Sequence, residues 1–445
     1  MMKKLFALIM ALTLLVPTFA SANATVKTPA ADLRATLDHL LSEHFVLAVA
    51  SMQKAYDDAE DAEHVQAALD QNAADMKTAV ESIYGAEGAE QFNNIFAAHN
   101  NYTDDLVMAA KNNDEEARKA AEAEIEEFVV EFSTFLDGAT GGNLPQKAAE
   151  EAIRAHEADV LNVFDSYVAG DYEAAYMAYR EGFARMFDIG KALSGAIVMQ
   201  MPDKFEGSQV DTPASNLRAT LNKLAAEHTA YATIGMQKGF DQAEDVDFIN
   251  WAEDAHTADF KAAIASIYGE EGAAQFEQVW QPNHIDAQSM IVAATLENDE
   301  AKRAEAEEHL QTFAKDFGGF LGAATEENLP SKAATEAVWA HEELVLKSYD
   351  HYTAAEYKAA YDSFRESYAF MFGIGETLGG AIVAQHPDKF GGENTSMPSE
   401  MPNTGMGGGS TNSMPTAWIA VALGAVLVAA TFLVVRRKIN VSDKA

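Results

Sequence analysis

The chain has twelve histidines and no cysteine. With thiolates absent, imidazole, thioether and carboxylate are its available metal ligands. Leu33, Leu37, Leu40, His44 and Leu47 share one stripe at helical spacing. So do Phe92, Ile95, Phe96, His99 and Leu106, and again Ile153, His156, Val160, Val163 and Tyr167. Each histidine therefore takes a place where a core residue belongs. The set recurs as His228, His284 and His341, and His256 stands where the first set has Asn72. Met186, matched by Met371, also falls near the middle of its segment. In an up-and-down bundle, mid-helix residues on inward faces meet at one level of the core. Three neutral imidazoles suit zinc, copper or iron, and an added thioether favours copper, Cu(I) above all. A pocket bounded by His and Met also suits b-type haem.

A second reading stands beside this one. A buried histidine can be a structural residue, hydrogen-bonded to a tyrosine hydroxyl or to Asp75, fixing helix register without binding anything. Met186 and Met371 also read as plain core. His39, His64, His309 and His351 have no counterpart in the other set and read as surface or rim residues. Other chemistry is sparse. His99 and Asp104 have part of the spacing of a hemerythrin-type pattern, but Ser289 stands at the matching place. No two helices carry Glu-x-x-His, which argues against a carboxylate-bridged di-iron site. HExxH, GxSxG, P-loop and EF-hand patterns are absent. Tyr172, Tyr176 and Phe183 form an aromatic stripe that reads as core.

The elements that must place these residues come from an internal duplication. Leu33-Arg34-Ala35-Thr36-Leu37 returns as Leu217-Arg218-Ala219-Thr220-Leu221, and Ser82-Ile83-Tyr84-Gly85 as Ser266-Ile267-Tyr268-Gly269. One residue is inserted near Pro282, after which Asn143-Leu144-Pro145 matches Asn328-Leu329-Pro330. So long a period means two copies of a whole domain rather than a solenoid unit. Ala, Glu, Lys and Leu dominate both copies at three- and four-residue apolar spacing, which predicts an all-α fold. The first copy breaks into helices over 31–57, 62–84, 87–112, 114–138, 146–169 and 171–199. Gly85 is a C-cap candidate, and Asp114 and Asp171 are N-cap candidates. The expectation is two tandem antiparallel bundles of about six helices each, over 25–206 and 207–390. Each is large enough to bury a core without disulfides.

The ends read differently. Lys3 and Lys4, an apolar run from Leu5 to Phe19, and Ala20, Ala22 and Ala24 make residues 1–24 a secretory signal. Residues 391–416 are a Gly-, Ser-, Met- and Pro-rich linker. Residues 417–435 are apolar and uncharged, enough to span about 29 Å as a helix. Arg436, Arg437 and Lys438 open a basic tail, 436–445, that belongs inside the cell, so the bulk of the chain belongs outside.

Met401-Pro402-Asn403-Thr404-Gly405, the apolar span and the basic tail together resemble the cell-wall sorting signal of Gram-positive surface proteins. That resemblance implies a sortase that cleaves between Thr404 and Gly405 and joins Thr404 to peptidoglycan. Met401 stands where the family usually has Leu. The alternative is a retained single-span membrane anchor. The repeat, with its phrases LRATLDHLLSEH, MQKAYD, SIYG and GDYEAAY, resembles an all-α domain of secreted Gram-positive proteins, some labelled copper amine oxidase-like for a separate attached domain. No strand-rich oxidase segment is visible, so the resemblance implies copper and not amine oxidation.

Composition narrows the choices. Thirty-one basic against 69 acidic side chains give a net charge of −38. This opposes nucleic-acid binding through basic patches. Three readings remain: a surface-anchored metal- or haem-binding protein with one site per repeat, a non-catalytic spacer or interaction protein, and a metal-dependent oxidoreductase using the same clusters.

Overall fold

Helix formers dominate the repeats, and the fold follows from them. The structure, a computed structural model, describes residues 24–391. Among the described residues there are twelve α-helices and no strand. The first repeat contains α1 (Pro29–Tyr56), α2 (Ala62–Asn112), α3 (Glu115–Ala139), α4 (Gln146–Val168) and α5 (Tyr172–Gln200). The second contains α6 (Pro213–Asp241), α7 (Val246–Trp280), α8 (Asp286–Glu297), α9 (Glu300–Ala324), α10 (Ser331–Thr353) and α11 (Tyr357–Gln385), with a last turn α12 (Pro387–Phe390). Local chemistry sets the ends. Thr28 accepts from the Ala31 N–H with Pro29 opening α1. Asp114 accepts from the Glu116 and Ala117 N–H groups, and Asp171 from that of Ala174.

The expected break between 62–84 and 87–112 is present: Gly85, at φ 77° and ψ 179°, a conformation reserved for glycine, ends the first arm of α2 and starts a bend into the second. Gly269 does the same inside α7 at φ 75° and ψ −180°. The residue inserted near Pro282 is absorbed as a π-helical turn, Gln281–Ile285. A π-turn takes up one residue without ending the helix, which lets His284 occupy the place of His99.

The repeats do not fold as separate beads. The largest apolar cluster joins Phe45, Phe183 and Phe187 of the first repeat to Tyr231, Phe364, Tyr368 and Phe372 of the second. Arg365 of α11 donates to both Glu43 oxygens, at 3.2 and 2.8 Å, and to Asp75 at 2.7 Å. Its counterpart Arg180 of α5 donates to Glu227 at 3.2 Å and to Asp259. Tyr361 donates to Asp61 at 2.7 Å, and Tyr176 to Asp245 at 2.8 Å. These contacts are made in both directions at matching positions, so a pseudo-twofold relation links the repeats, as in an isologous dimer.

The signal apart from Ala24, the linker beyond Gly391, the sorting motif Met401–Gly405, the span 417–435 and the tail 436–445 lie outside the described residues. Among the described residues, α11 is long and apolar enough to cross a membrane, but half of its apolar window is buried against the protein. It packs on α6 and α10 as a core helix.

Candidate metal centre

The three predicted stripes bring their histidines together. His44 comes from α1, His99 from the second arm of α2 and His156 from α4, and all three are buried. One nitrogen of each lies within 4.8 Å of the others. Ring centroids are 5.7 Å apart for His44–His99, 5.8 Å for His44–His156 and 6.4 Å for His99–His156. The His99 ring is stacked on Phe128 of α3 at 4.3 Å, which fixes its plane. The Glu157 carboxylate, next in sequence to His156, sits 3.5 Å from His99 Nε2.

The second repeat builds the same group from α6, the π-turn and α10. His228, His284 and His341 are buried, with donor atoms again within 4.8 Å. His284 stacks on Phe313 at 4.2 Å, as His99 does on Phe128. Its Nε2 lies 2.9 Å from His228 Nε2, so one imidazole donates and the other accepts. Its Nδ1 lies 3.1 Å from Glu342 Oε1.

The electrostatics favour lone pairs over charge. Burial lowers His44 to about 4 and His156, with help from His44 and Arg185, to about 3. Burial, Glu342 and His284 leave His341 at about 4. Burial and neighbouring imidazoles hold His99 and His228 well below the usual histidine range. Neutral imidazoles are the form that ligates metal. Burial raises the Glu157 carboxyl to about 8. At Glu342 burial opposes the charge, but His284 and His341 hold the carboxyl below its usual value.

Both ring nitrogens of His44 and of His341 are buried without a hydrogen-bond partner, as are Nδ1 of His99, His156 and His228. A buried imidazole kept for structure has its nitrogens satisfied, because each orphan costs about 1–3 kcal/mol. The partner imagined for a structural histidine, Asp75, is instead engaged by Arg365 and Gln71. A tetrahedral ion with bonds of about 2.0–2.1 Å places its ligands about 3.4 Å apart, so modest closure of each triad completes the geometry. Three ligands leave one position open.

Other predicted site residues fall outside the triads. Met186 and Met371 are buried on α5 and α11, Met186 within the main apolar cluster. His256 is not a member of the second triad. Its Nδ1 lies 3.0 Å from Glu227 Oε2, and its ring is nearly parallel to His228 at 5.9 Å. At the matching place Asn72 donates to Glu43 at 2.7 Å and to the Leu40 carbonyl at 3.0 Å. Asp104 is exposed. A cavity of about 210 Å³ between the repeats is lined by Gln53, Tyr179, Thr233 and Gln237 among others, and by none of the triad histidines.

Sequence reasoning missed the buried carboxylates. Glu43 and Glu227 precede a triad histidine, and Glu157 and Glu342 follow one. The recurrence of these Glu-His and His-Glu pairs in both copies was the available signal. Carboxylates beside metal-binding histidines orient the rings and raise their basicity.

The geometry defines a helical protein with two buried three-histidine clusters. Comparison with protein-family models, curated proteins and solved structures finds no match for this chain.

Proposed function

We propose that this is a cell-surface-anchored metal-binding protein in which each repeat holds one transition-metal ion on a three-histidine centre. The observation that carries the reading is the convergence of His44, His99 and His156, and of His228, His284 and His341, with both nitrogens of His44 and of His341 buried and satisfied by no protein group. Copper is the favoured ion, because all-imidazole sites bind Cu(II) most tightly among the first-row divalent metals, with zinc and iron as alternatives. An ion suits the site better than haem. The three ring centroids of each triad lie within 6.4 Å of one another, and His99 stacks directly on Phe128 as His284 does on Phe313, leaving no slot for a macrocycle. Binding and storage or buffering of the ion is the activity; the open fourth position is the feature an oxidoreductase would use.

Export by the N-terminal signal and anchoring through Thr404 by a sortase to peptidoglycan, or through the 417–435 span to the membrane, completes the proposal. Its support is the sequence of the two ends. Metal analysis tests the central claim. The purified chain is expected to hold about one equivalent of copper or zinc per triad, half of it lost in His44→Ala and all of it in His44→Ala with His228→Ala. Absence of bound metal after titration with copper, zinc and iron refutes the reading and leaves the spacer alternative.

A further inference from the structure

The two centres share their triads but differ beside them. On α7 of the second repeat, Glu253 and His256 are one helical turn apart and therefore lie on one face. Both are buried, and each has one atom without a hydrogen-bond partner, Glu253 Oε1 and His256 Nε2. At the matching positions the first repeat has Leu69, packed in the apolar core, and Asn72, whose amide nitrogen donates to Leu40 and Glu43 while its Oδ1 has no partner. The second repeat thus has a carboxylate and an imidazole, both groups that ligate metal well, where the first has a hydrophobe and an amide.

Their orientation is set. Arg180 pairs with Glu227, so that carboxylate is an acceptor and the His256 Nδ1 is the donor to it. The lone pair of His256 therefore sits on Nε2, as in histidines that a carboxylate poises for a metal. The His256 and His228 rings are 17° from parallel with centroids 5.9 Å apart, so the His256 ring lies beside the triad. Glu253 also lies within the field of His284, a triad member.

We propose that the second repeat holds two divalent metal ions, one on its triad and one beside it on Glu253 Oε1 and His256 Nε2. The inference rests on the metal-binding reading of the triads. Paired ions in proteins sit about 3.5–4 Å apart, and a Glu-x-x-His turn is a recurrent way for a bundle helix to contribute to such a pair. The added position mixes oxygen and nitrogen donors, with water completing its coordination, and suits zinc, manganese or iron better than Cu(I). The first repeat, with Leu69 and Asn72, holds one ion.

The test counts zinc on the full chain by native mass spectrometry, after a weak chelator has cleared ions from surface carboxylates. The comparison is the variant Glu253→Leu with His256→Asn, which carries the residues the first repeat already tolerates; matching helix content and melting show that it folds. Three zinc ions in the wild type and two in the variant are expected. Two ions in both proteins, or three in both, overturn the added position while leaving the triads standing. None in either overturns the metal reading and this inference with it.

Discussion

Replacing His44 by Leu separates a metal ligand from a structural histidine, because the two roles give opposite signs in the metal-free chain. Both His44 nitrogens are buried and unpartnered, so one N–H and one lone pair are held out of water without compensation. At about 1–3 kcal/mol for each such group, a leucine of similar volume recovers stability. Lost packing against Phe96 and the neighbouring imidazoles offsets part of it. A net gain of about 1–3 kcal/mol is expected at pH 8. Acid widens the gap. Burial takes His44 from 6.5 to about 4, so the unfolded chain binds its proton first. Wild-type stability from this group is therefore intact above pH 6.5, falls as pH drops towards 4, and is flat below. At about 1.4 kcal/mol per tenfold change in proton affinity, His44 alone costs the wild type about 3 kcal/mol by pH 4. The leucine variant escapes that loss. Urea unfolding of both metal-free proteins at pH 8, 6 and 5 measures it, since other titrating groups largely cancel in the difference. Adding zinc at a hundredfold excess over its dissociation constant should stabilise the first site of the wild type by about 2.7 kcal/mol and give the variant nothing there. If His44→Leu instead destabilises the metal-free chain by 2 kcal/mol or more at pH 8, the imidazole is satisfied and the metal argument fails.

Other outcomes follow from the same structure. Arg365→Gln strands the buried Glu43 and should cost about 3–5 kcal/mol in urea unfolding, and Arg180→Gln should do the same through Glu227. A cost below 1 kcal/mol would place these pairs among ordinary surface bridges. Gly85→Ala meets no atom within 4 Å, yet φ 77° with ψ 179° should still cost about 1–3 kcal/mol in thermal melts. An unchanged melting temperature would show that the bend of α2 does not need glycine. Thr404→Ala should leave the chain in the membrane fraction instead of the wall fraction; wall attachment at the wild-type level would remove the sortase proposal.

Helices were legible because periodicity and caps are local. Asp114 and Asp171 announced helix starts, and the apolar stripes announced which face each histidine would take. The convergence of His44, His99 and His156 followed because a short-looped bundle converts helix height into position. Gly85 announced the break between the two arms of α2, because positive φ favours glycine. Two things were not legible. The π-turn at Gln281–Ile285 looks like a bare insertion, because a π-turn carries no residue signature of its own. The joining of the repeats depends on pairs such as Arg365 with Glu43, more than 300 residues apart, whose charges look like ordinary surface in either copy alone. His256 fell on the predicted stripe, but only its bond to Glu227 shows that it turns away from the triad.

That joining bears on the sites themselves. Glu43 precedes His44 on α1 and is clamped by Arg365 of the other repeat; Glu227 precedes His228 on α6 and is clamped by Arg180. A residue next to a triad histidine shares its backbone, so the height and rotation of each central helix are set partly by an arginine from the opposite copy. Asn72 and His256 reach the same two carboxylates from within each repeat. Each glutamate therefore ties three helices together, two from its own repeat and one from its neighbour. With both carboxylates buried, loss of an arginine leaves a charge that must either protonate or draw in water, and either response reaches the adjacent histidine. The duplication thus does more than double the number of histidine triads: each copy supplies the counter-charge that holds the central helix of the other in place.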